Sequence, residues 1–255
     1  MIRAKKSLGQ HYLTDRNIAR KIVSGLKAKG IKIVLEVGPG LGALTQFLVE
    51  ESRFKTYFIE ADRESVRYLI RNFPESEDEI IHADFLKFDI RKRFDEPVAL
   101  IGNLPYNISG QIFFKILENR NIIREVVCMI QKEVADRIRS GPGTKAYGIL
   151  SVLLKAYYNI EYLFTVSEKV FIPVPKVKSA VIRLVRNETE KLPCNEELFF
   201  RLVRAGFNQR RKTLRNSLKT ILLNLELDHE FMKQRPEQLQ VEQFIELTRV
   251  VEGKF

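Results

Sequence analysis

Short apolar runs alternate with helical patterns along most of this chain, and that alternation limits its fold more than any other feature. The apolar runs, which are short and rich in Val and Ile, predict strands at 31–38, 55–62, 78–84, 97–105 and 124–131. The predicted helices lie at 15–28, 41–52, 63–73, 109–120 and 132–140. We expect Asp15 and Ser109 to cap two of these helices. Strands that alternate with helices form an open, mostly parallel sheet with helices on both faces, so the sequence predicts an α/β fold.

The pattern changes in the C-terminal part of the chain. After a predicted helix at 147–158, two strand patterns follow in succession, "YLFTVSEKVFIPVP" and "KVKSAVIRLVR". Consecutive strands of this kind predict an antiparallel, hairpin-like edge to the sheet. The stretch 186–197 reads as a linker, and the pattern after it is helical. The sequence therefore predicts an α/β domain at 1–187 and a small all-helical domain at 188–255.

A glycine-rich loop follows the first predicted strand of the sheet. Gly38, Gly40 and Gly42 have the spacing G-x-G-x-G, and Pro39 stands between the first two. Glycines allow a tight turn and let a ligand approach the backbone, and the helix that follows offers unpaired N–H groups. The dinucleotide fingerprint is G-x-G-x-x-G, and proline removes one donor. The loop therefore predicts a ligand site that is not a pyrophosphate cradle, which disfavours a nicotinamide oxidoreductase.

An acid lies at or near the carboxyl end of each of the first three predicted strands of the sheet. Glu60 comes about twenty residues after the glycine loop, where an acid can bind the two hydroxyls of a ribose. Asp84 could accept a hydrogen bond from an adenine amine, and Glu36 suits a ligand that carries an ammonium group. Each acid alone would more often be a solvated turn residue. Together they predict S-adenosylmethionine, which has a ribose, an adenine and an ammonium but no pyrophosphate.

The tetrapeptide "NLPY" ends the fourth strand of the sheet, beside the predicted cofactor crevice. Pro105 stiffens the turn that presents the Leu104 carbonyl, and the Asn103 side chain offers a second acceptor. Two converging acceptors suit an –NH₂ group, and Tyr106 offers a flat face on which a base can stack. An exocyclic base amine is a poor nucleophile because its lone pair is delocalised into the ring. The motif therefore predicts methyl transfer to a base amine by positioning and electrostatic stabilisation.

Positive charge is in excess and locally concentrated. The formal net charge is +11, which favours association with polyanions such as nucleic acid. Residues 201–219, "RLVRAGFNQRRKTLRNSLK", contain seven Lys or Arg and no acid. We expect a helix in this region with an apolar face (Leu214, Leu218, Ile221 and Leu222) and a basic face (Arg211, Arg215 and Lys219). A basic face of this kind predicts phosphate contacts that position RNA without reading its sequence.

Other function classes find little support in the sequence. Cys128 and Cys194 lie in unrelated contexts, and His11, His82 and His229 are scattered, so neither a disulfide framework nor a metal site is expected. No apolar run is long enough for a transmembrane span, and the N-terminal residues lack the apolar centre of a signal peptide. We therefore expect a cytoplasmic protein without a membrane partner.

Over nearly its whole length the chain resembles the rRNA adenine N6-dimethyltransferases. The segments that carry the resemblance are "KKSLGQHYL", "LEVGPGLGALT", "FIEAD", "HADFLKFD", "GNLPYNIS", "FIPVPKVKSAVIRL" and "FNQRRKTLRNSLK". The last two are more specific than any glycine loop, and the chain is more similar to the ribosome-assembly branch than to the antibiotic-resistance branch. The resemblance implies a Rossmann-like class I S-adenosylmethionine-dependent methyltransferase sheet.

The resemblance also implies residue roles. The cofactor-binding residues would be Gln10, His11, Leu13, Gly38, Gly40, Glu60, Asp84 and Asn103. Asn103 and the Leu104 carbonyl would hold the target amine, while Tyr106 and Phe171 would stack on opposite sides of the adenine. The RNA-binding residues would be Arg210, Arg211, Lys212, Arg215 and Lys219.

The family's substrate is a pair of adjacent adenosines in a hairpin loop near the 3′ end of small-subunit (16S) rRNA. Each adenosine receives two methyl groups, late in the assembly of the small subunit. The resemblance therefore implies that the partner is small-subunit rRNA within an immature 30S particle, and we expect the protein to be monomeric.

Two alternatives remain open from the sequence. A non-catalytic RNA-binding assembly or transcription factor could use the same fold, although the intact "NLPY" motif and the three acids favour an enzyme. A protein glutamine methyltransferase also presents an Asn-Pro-aromatic turn. Those enzymes carry a second proline where Leu104 stands and have no evident need for a basic helix.

Overall fold

The computed structural model describes residues 4–5, 8–222 and 227–254 and divides the chain into two compact units. The first unit contains the residues up to Ala135 together with Ile160–Arg186. The second contains Asp136–Asn159 together with the residues from Asn187 onward. The predicted domain boundary between 187 and 188 stays a prediction. The compact units differ from it because 136–159 pack with the C-terminal segment.

A seven-stranded mixed sheet forms the centre of the first unit. Its strands are β2 (Ile33–Val37), β3 (Lys55–Glu60), β4 (Ile80–His82), β5 (Val98–Asn103), β6 (Ile123–Gln131), β7 (Tyr158–Val166) and β9 (Ser179–Arg186). They lie in the order β4-β3-β2-β5-β6-β9-β7. The five strands from β4 to β6 run parallel, and β9 runs antiparallel to β6. This arrangement confirms the predicted α/β sheet.

The remaining elements of the first unit flank this sheet. They are the two-residue strands β1 (Tyr12–Leu13) and β8 (Phe171–Ile172) and the helices α1 (Arg16–Gly25), α2 (Thr45–Leu48), α3 (Arg63–Asn72), α4 (Ile90–Arg93) and α5 (Ser109–Glu118). Short 3₁₀ helices lie at Pro74–Glu79 and Glu168–Val170. Helix α6 (Lys132–Arg139) follows β6. Apolar residues of α1, β2, β3, β5 and β6 share one buried core, which accounts for the near-continuous apolar runs of the central strands.

The order of the strands reverses between β2 and β5. From β2 the chain proceeds outward through β3 and β4, whereas β5 and β6 lie on the other side of β2. In open α/β sheets, ligands bind in the crevice outside the carboxyl ends of the strands at such a switch point. The glycine loop follows β2 and the "NLPY" turn follows β5, so the fold brings both motifs to this crevice.

Local predictions for the helices of the first unit have mixed outcomes. Asp15 caps α1 by accepting hydrogen bonds from the backbone N–H groups of Asn17 and Ile18, as expected. The predicted helix at 41–52 is reduced to Thr45–Leu48, since turns occupy the residues after the glycines. Ser109 is not the N-cap of α5 but its first residue. Its hydroxyl donates to the Tyr106 carbonyl rather than accepting from the helix.

The second unit is built mainly of helices. They are α7 (Ile149–Lys155), α8 (Glu196–Asn208), α9 (Leu214–Ser217), α10 (Lys219–Leu222) and α11 (Val241–Glu252), with 3₁₀ helices at Glu230–Lys233 and Pro236–Gln238. Helices α8 and α11 bury apolar faces that include Phe199, Leu202, Phe244 and Leu247. The expected helical pattern after the linker is therefore present.

The predicted basic helix is not continuous. Helix α8 ends at Asn208, a turn follows, and α9 begins only at Leu214. Leu218 then separates α9 from α10, with φ −98° and ψ 0°. Leu214, Leu218 and Leu222 are nevertheless buried at the predicted spacing of four. The apolar period predicts which residues are buried, but it cannot reveal that the backbone turns between them.

Candidate active site

A cavity in the first unit lies at the carboxyl ends of β2, β3 and β5. The glycine loop, the "NLPY" turn and residues 8–13 of the N-terminal arm line it. It brings together ten of the predicted site residues, namely Gln10, His11, Leu13, Gly38, Gly40, Glu60, Asp84, Asn103, Leu104 and Tyr106. These residues come from distant parts of the sequence, and the strand order explains why they meet.

The charged side chains of the cavity are acidic. Glu36, Glu60 and Asp84 line it, and the described lining residues include no Lys or Arg. This acidity is notable in a chain with a formal net charge of +11. A buried anionic ligand would be repelled here, whereas a ligand with a positive charge would be attracted. The donor set therefore fits S-adenosylmethionine, whose sulfonium and ammonium groups are both positive, and does not fit a pyrophosphate.

Glu36 is the most strongly perturbed acid of the cavity. It is 1% exposed, and its Oε2 accepts a hydrogen bond of 2.7 Å from the Thr45 hydroxyl. Burial raises the pKa of Glu36 to about 8, the Thr45 hydrogen bond lowers it, and the charge of Glu60 raises it further. A carboxyl in this state can ionise when a cation arrives, since an opposite charge stabilises the ionised form.

Glu60 ties the end of β3 to the glycine loop. Its Oε2 accepts from the backbone N–H of Gly40 at 2.9 Å, and its Oε1 accepts from that of Asp62 at 2.8 Å. Burial raises the pKa of Glu60, while these backbone hydrogen bonds act against that rise. The carboxylate is thus fixed in one orientation, with unused lone pairs that can accept from ribose hydroxyls.

The glycines of the loop are required by backbone conformation. Gly38 has φ +70° and Gly40 has φ +57°, in the left-handed region that other residues rarely adopt. A Cβ atom on Gly40 would also lie 3.1 Å from Cε1 of Tyr12. The Tyr12 ring therefore packs directly on the loop, and larger residues would displace it.

Hydrogen bonds hold the N-terminal arm in place. Oε1 of Gln10 accepts from the Lys5 backbone N–H at 2.8 Å and from the Tyr12 hydroxyl at 3.0 Å. Lys5 Nζ lies 2.6 Å from Oδ1 of Asp62, at the start of α3. Burial acts to raise the pKa of Asp62, but the hydrogen bonds from Lys5 and Ser65 lower it overall. Gln10 therefore orders the arm from within, and Lys5 attaches it to the sheet side of the cavity.

The Asn103 amide has a defined orientation. Its Nδ2 donates to the backbone carbonyl of His11 at 2.9 Å. Since an amide has one donor side and one acceptor side, this bond leaves Oδ1 as the atom available to accept from a ligand. The arm thus fixes which side of the Asn103 amide can accept a hydrogen bond.

The Tyr106 ring is held at both its hydroxyl and its face. Its hydroxyl lies 2.5 Å from Oγ of the buried Ser179, and burial raises the pKa of Tyr106. Its face stacks on the His11 ring, with the ring centroids 5.3 Å apart and the planes inclined by 27°. The Nδ1 atom of His11 lies 2.7 Å from the carbonyl oxygen of Pro173.

Phe171 does not line the cavity. It pairs with Leu13 between the strands β8 and β1, and its ring is 1% exposed within the apolar core. The remaining predicted residues are better placed. Oδ1 of Asp84 accepts from the Leu86 backbone N–H at 2.9 Å, which fixes this carboxylate at the cavity wall. The backbone N–H of Leu104 donates to the Met129 carbonyl, which fixes the turn on β6.

The predicted RNA-binding residues lie in the second unit and do not share one environment. Arg211, Lys212, Arg215 and Lys219 are exposed. Arg210 instead donates from its guanidinium to the backbone carbonyls of Thr144 and Lys145. Arg210 therefore joins the turn after α8 to the loop that contains Thr144 and Lys145, and so braces two loops of this unit.

Sequence reasoning missed three residues that support the cavity. Lys5 attaches the arm, Tyr12 packs on the glycine loop, and Ser179 holds Tyr106. Tyr12 and Lys5 lie within the quoted segment "KKSLGQHYL", and Ser179 follows "FIPVPKVK". Their contacts join residues that are far apart in sequence, so they leave no local signal.

The described residues contain neither a membrane-spanning helix nor a cluster of metal-binding side chains. No helix in them is long and apolar enough to span a membrane. No three or more His, Cys, Asp or Glu side chains in these ranges are grouped so as to hold a metal ion.

Comparisons with known proteins agree with this geometry. The model of the family described as ribosomal RNA adenine dimethylase matches residues 1–252. Two curated relatives are named ribosomal RNA small subunit methyltransferase A. The one from Cytophaga hutchinsonii is 53% identical over 99% of both chains, and the one from Bacteroides thetaiotaomicron is 56% identical over 99% of this chain and 95% of the relative.

Solved structures show the same fold. A dimethyladenosine transferase from Plasmodium falciparum superimposes with a TM-score of 0.75 and 25% identity, covering 93% of this chain and 96% of its own. The 23S rRNA methyltransferase ErmE gives a TM-score of 0.67 and 26% identity, covering 93% of this chain and 99% of its own. Because the family model and these relatives span nearly the whole sequence, the chain belongs to the ribosomal RNA adenine dimethylase family.

Proposed function

We propose that this protein transfers methyl groups from S-adenosylmethionine to the N6 amines of two adjacent adenosines in a hairpin loop near the 3′ end of 16S rRNA. Each adenosine receives two methyl groups. The reaction takes place late in the assembly of the small ribosomal subunit.

The observation that carries this proposal is the orientation of Asn103 at the acidic cavity. Its Nδ2 donates to the His11 carbonyl, so its Oδ1 is left to accept a hydrogen bond from a ligand. The stiff turn at Pro105 presents the Leu104 carbonyl beside it, and Tyr106 lies next in the chain. Two acceptors beside an aromatic face suit a planar base that carries an –NH₂ group.

Different cavity residues would bind different parts of the cofactor. Glu60 would bind the ribose, Asp84 the adenine amine, and the glycine loop the methionine end, where Glu36 would balance the ammonium group. When bound, S-adenosylmethionine supplies a methyl group made electrophilic by its sulfonium. Gln10, His11 and Leu13 would close the cavity from the arm.

The chain's own residues supply position and polarisation rather than a strong base. Hydrogen bonds from the target amine to Asn103 Oδ1 and to the Leu104 carbonyl favour a pyramidal nitrogen, whose lone pair then points at the methyl donor. The nitrogen loses its proton only after the new bond has formed, so no basic side chain is needed before attack. This division of work follows the general rule that positioning and preorganised dipoles provide most of the acceleration in such sites.

We further propose that the substrate is an immature 30S particle, that the protein acts as a monomer, and that it works in the cytoplasm, where ribosomes are assembled. The target base must be unpaired or flipped out, because a stacked base cannot reach Asn103. Exposed basic residues of the second unit (Arg211, Lys212, Arg215 and Lys219) would contact phosphates and position the particle. Arg210 would contribute through the loops that it braces.

The test uses small subunits from a strain that lacks this methylation. Wild-type protein and Asn103→Ala are incubated with these subunits and radiolabelled S-adenosylmethionine, and the labelled nucleoside is identified after digestion. We expect N6,N6-dimethyladenosine with the wild type and a loss of at least roughly 100-fold with the variant, since one preorganised donor or acceptor is worth about that much.

Asn17→Ala is the matched control, because Asn17 is exposed on α1 away from the cavity. It should retain wild-type labelling. Binding of the wild type to subunits without any labelled base would contradict the enzymatic proposal and would support a non-catalytic assembly factor instead.

A further inference from the structure

A second concentration of positive charge lies in the first unit, on helix α1 and in the residues that follow it. Residues 16–35 contain six Lys or Arg and no acid, compared with seven and none in residues 201–219. The proposed methyl transfer uses none of these six cations. They are therefore a strongly charged feature of the first unit to which the proposed function gives no role.

Three of these cations lie on α1 itself and are exposed, namely Arg16, Arg20 and Lys21. A helix turns by about 100° per residue, so the two arginines border one side of its exposed face and the lysine borders the other. The opposite face of α1 is buried through Ala19, Ile22 and Val23. The outer face of α1, called here the α1 surface, thus carries positive charge along both of its edges.

Aromatic rings support the three cations of the α1 surface. The guanidinium carbons of Arg16 and Arg20 lie 5.8 and 5.1 Å from the ring centroid of Phe47. The Nζ atom of Lys21 lies 4.1 Å from the ring centroid of Phe164. Both rings belong to the apolar core or pack against it. A cation over a ring is attracted by the ring but keeps its charge and its N–H donors, so these side chains are oriented without being neutralised.

No acid compensates the charge of the α1 surface. Among the residues that the structure describes, none forms an ion pair with Arg16, Arg20 or Lys21. Lys32, by contrast, lies beyond the end of α1 and has Glu96 at 4.0 Å. The charge of the α1 surface is therefore available to an anionic partner.

One end of the α1 surface adjoins the cavity. Leu13 lines the cavity and α1 begins at Arg16, and three residues span at most about 11 Å. The hydroxyl of Thr14 donates to the Val170 carbonyl at 3.0 Å, which holds the link between the arm and the helix. Phosphates follow one another about every 3.4 Å along a strand of a nucleic-acid duplex. Phosphates only a few nucleotides from a base in the cavity can therefore reach α1.

The opposite charges of the cavity and the α1 surface favour one arrangement of a nucleic-acid strand. The acids of the cavity repel phosphates, whereas the α1 surface attracts them. A strand would therefore run beside the cavity along α1, and only its unpaired base would enter.

From this complementarity we infer that the α1 surface is a second RNA-binding surface, which contacts the phosphates of the rRNA strand next to the target adenosines. The inference rests on the proposed function and adds an RNA contact within the unit that contains the cavity. Such contacts position the strand without reading its sequence, because phosphates are the same at every nucleotide. Recognition of the base stays with the "NLPY" turn.

The test removes the three charges together, because single exposed cations contribute little. The variant combines Arg16→Ala, Arg20→Ala and Lys21→Ala. Alanine is the best helix former, so α1 should remain folded. A second variant, Arg16→Lys with Arg20→Lys, keeps all three charges.

Two controls separate the α1 surface from its surroundings. Asn17→Ala removes an uncharged side chain from the same exposed face. The other control removes equal charge from exposed positions of the first unit outside α1, and it combines Lys29→Ala, Lys32→Ala and Lys92→Ala.

Binding of each protein to unmethylated small subunits is measured by filter binding over a salt series from roughly 50 to 200 mM. The slope of log K against log salt reports how many phosphate contacts form. Calorimetric titration with S-adenosylhomocysteine and thermal unfolding show whether the cavity and the fold are intact. None of these measurements requires methyl transfer.

We expect the triple variant of the α1 surface to bind small subunits roughly 10- to 100-fold more weakly than the wild type. The salt slope should decrease by about 2, the value for three phosphate contacts with a single strand. The lysine variant and both controls should stay within about threefold of the wild type. Affinity for S-adenosylhomocysteine should stay within threefold in every protein, because none of the substituted residues lines the cavity.

Three results would overturn the inference. Unchanged binding of the triple variant would show that α1 is only a solvated face. An equal loss in the control that removes Lys29, Lys32 and Lys92 would show that total charge matters and the α1 surface does not. A loss of affinity with an unchanged salt slope would indicate a partner other than phosphate, such as a protein of the subunit.

The proposed function and this inference can fail separately. A wild type that binds small subunits but transfers no methyl group would refute the proposed function, while the salt slopes would still decide the role of the α1 surface. Normal methylation with unchanged binding of the triple variant would refute the inference alone.

Discussion

The acidic cavity and the basic segment of residues 201–219 carry charges of opposite sign and hold them in different ways. In the cavity, buried or half-buried acids are fixed by hydrogen-bond donors, as Glu60 is by the backbone N–H groups of Gly40 and Asp62 and Glu36 by the Thr45 hydroxyl. In the basic segment, the apolar residues Leu214 and Leu218 fix the backbone, while the charged side chains are exposed.

This difference predicts how each region responds to substitution. A fixed, buried group acts alone, and its removal leaves partners unsatisfied. Exposed cations act through a shared field that salt screens, so each contributes little and their effects add. Single substitutions should therefore disable the cavity, whereas the basic segment should fail only when several charges are removed.

The largest effect is expected when Glu60 is removed from the cavity. Glu60→Ala leaves two backbone N–H groups without their acceptor, which should lower the free energy of unfolding by roughly 2–5 kcal/mol. The affinity for S-adenosylhomocysteine should fall by about 100-fold or more, since the proposed acceptor for the ribose is lost as well. Calorimetric titration and thermal unfolding measure the two quantities.

Glu75→Ala is the control for this change, because Glu75 is exposed after α3. It should leave both quantities near their wild-type values. If Glu60→Ala retained cofactor affinity within threefold, the cavity would not depend on its fixed acids, and the contrast with the basic segment would disappear.

A smaller effect is expected from a triple substitution in the basic segment. Arg211→Ala, Lys212→Ala and Arg215→Ala together should weaken binding to small subunits by roughly 10- to 100-fold and reduce the salt dependence of log K by about 2. Cofactor affinity should not change, since none of these residues lines the cavity. Filter binding across a salt series gives both numbers.

A triple variant of the first unit removes the same charge elsewhere. Lys29→Ala, Lys32→Ala and Lys92→Ala are changes at exposed positions, so net charge falls equally. We expect a much weaker effect on binding. Equal losses in the two triple variants would mean that total charge, and not the basic segment, attracts the RNA.

The third prediction is that the affinity for S-adenosylhomocysteine depends on pH through a cavity residue. Burial raises the pKa of Glu36 to about 8, and Glu60 adds to the rise. A bound ammonium group favours the ionised carboxylate, so binding below pH 8 must release a proton. Affinity for S-adenosylhomocysteine should therefore increase up to tenfold per pH unit between pH 6 and 8 and then level off. Calorimetry in buffers of different ionisation enthalpy measures the released proton.

Glu36→Gln should remove most of this pH dependence and lower the affinity at pH 8 by about tenfold. The same shift affects stability. Because the folded pKa lies above the unfolded value near 4.5, the stabilisation is complete below that value and is lost as pH rises through about 8. The unliganded wild type should thus lose stability over this window and Glu36→Gln should lose less. If the stabilities of the wild type and of Glu36→Gln changed equally with pH, Glu36 would not be the group that titrates in this range.

The sequence was sufficient for the features that local patterns encode. Apolar runs predict the strands, the sequence around Asp15 predicts a helix cap, and acids at strand ends predict the lining of the cavity. These predictions succeeded because parallel strands bring their carboxyl ends to one edge of the sheet. The placement of Glu36, Glu60 and Asp84 therefore followed from their positions at or near the ends of predicted strands.

The sequence-based predictions were wrong, or could not be made, where the structure depends on contacts between residues far apart in sequence. The apolar spacing of Leu214, Leu218 and Leu222 could not reveal the break at Leu218, since short consecutive helices preserve the same period. The stack of His11 on Tyr106 joins residues that are far apart in sequence, and it rests on the pairing of two-residue strands. Such strands are too short to leave a pattern.

The smallest effect is expected at the hydroxyl of Tyr106, because a single neutral hydrogen bond there orients the ring. Ser179→Ala removes a partner that holds this ring at 2.5 Å and should lower kcat/KM for small subunits by about 2- to 10-fold, the usual value of one neutral hydrogen bond. Tyr106→Phe should cost about the same, and the double variant no more than either, because both remove one interaction. Ser24→Ala, on an exposed position of α1, is the control. Additive losses in the double variant would show that Ser179 and Tyr106 act independently, and the ring would then be positioned by its stack on His11 rather than by its hydroxyl.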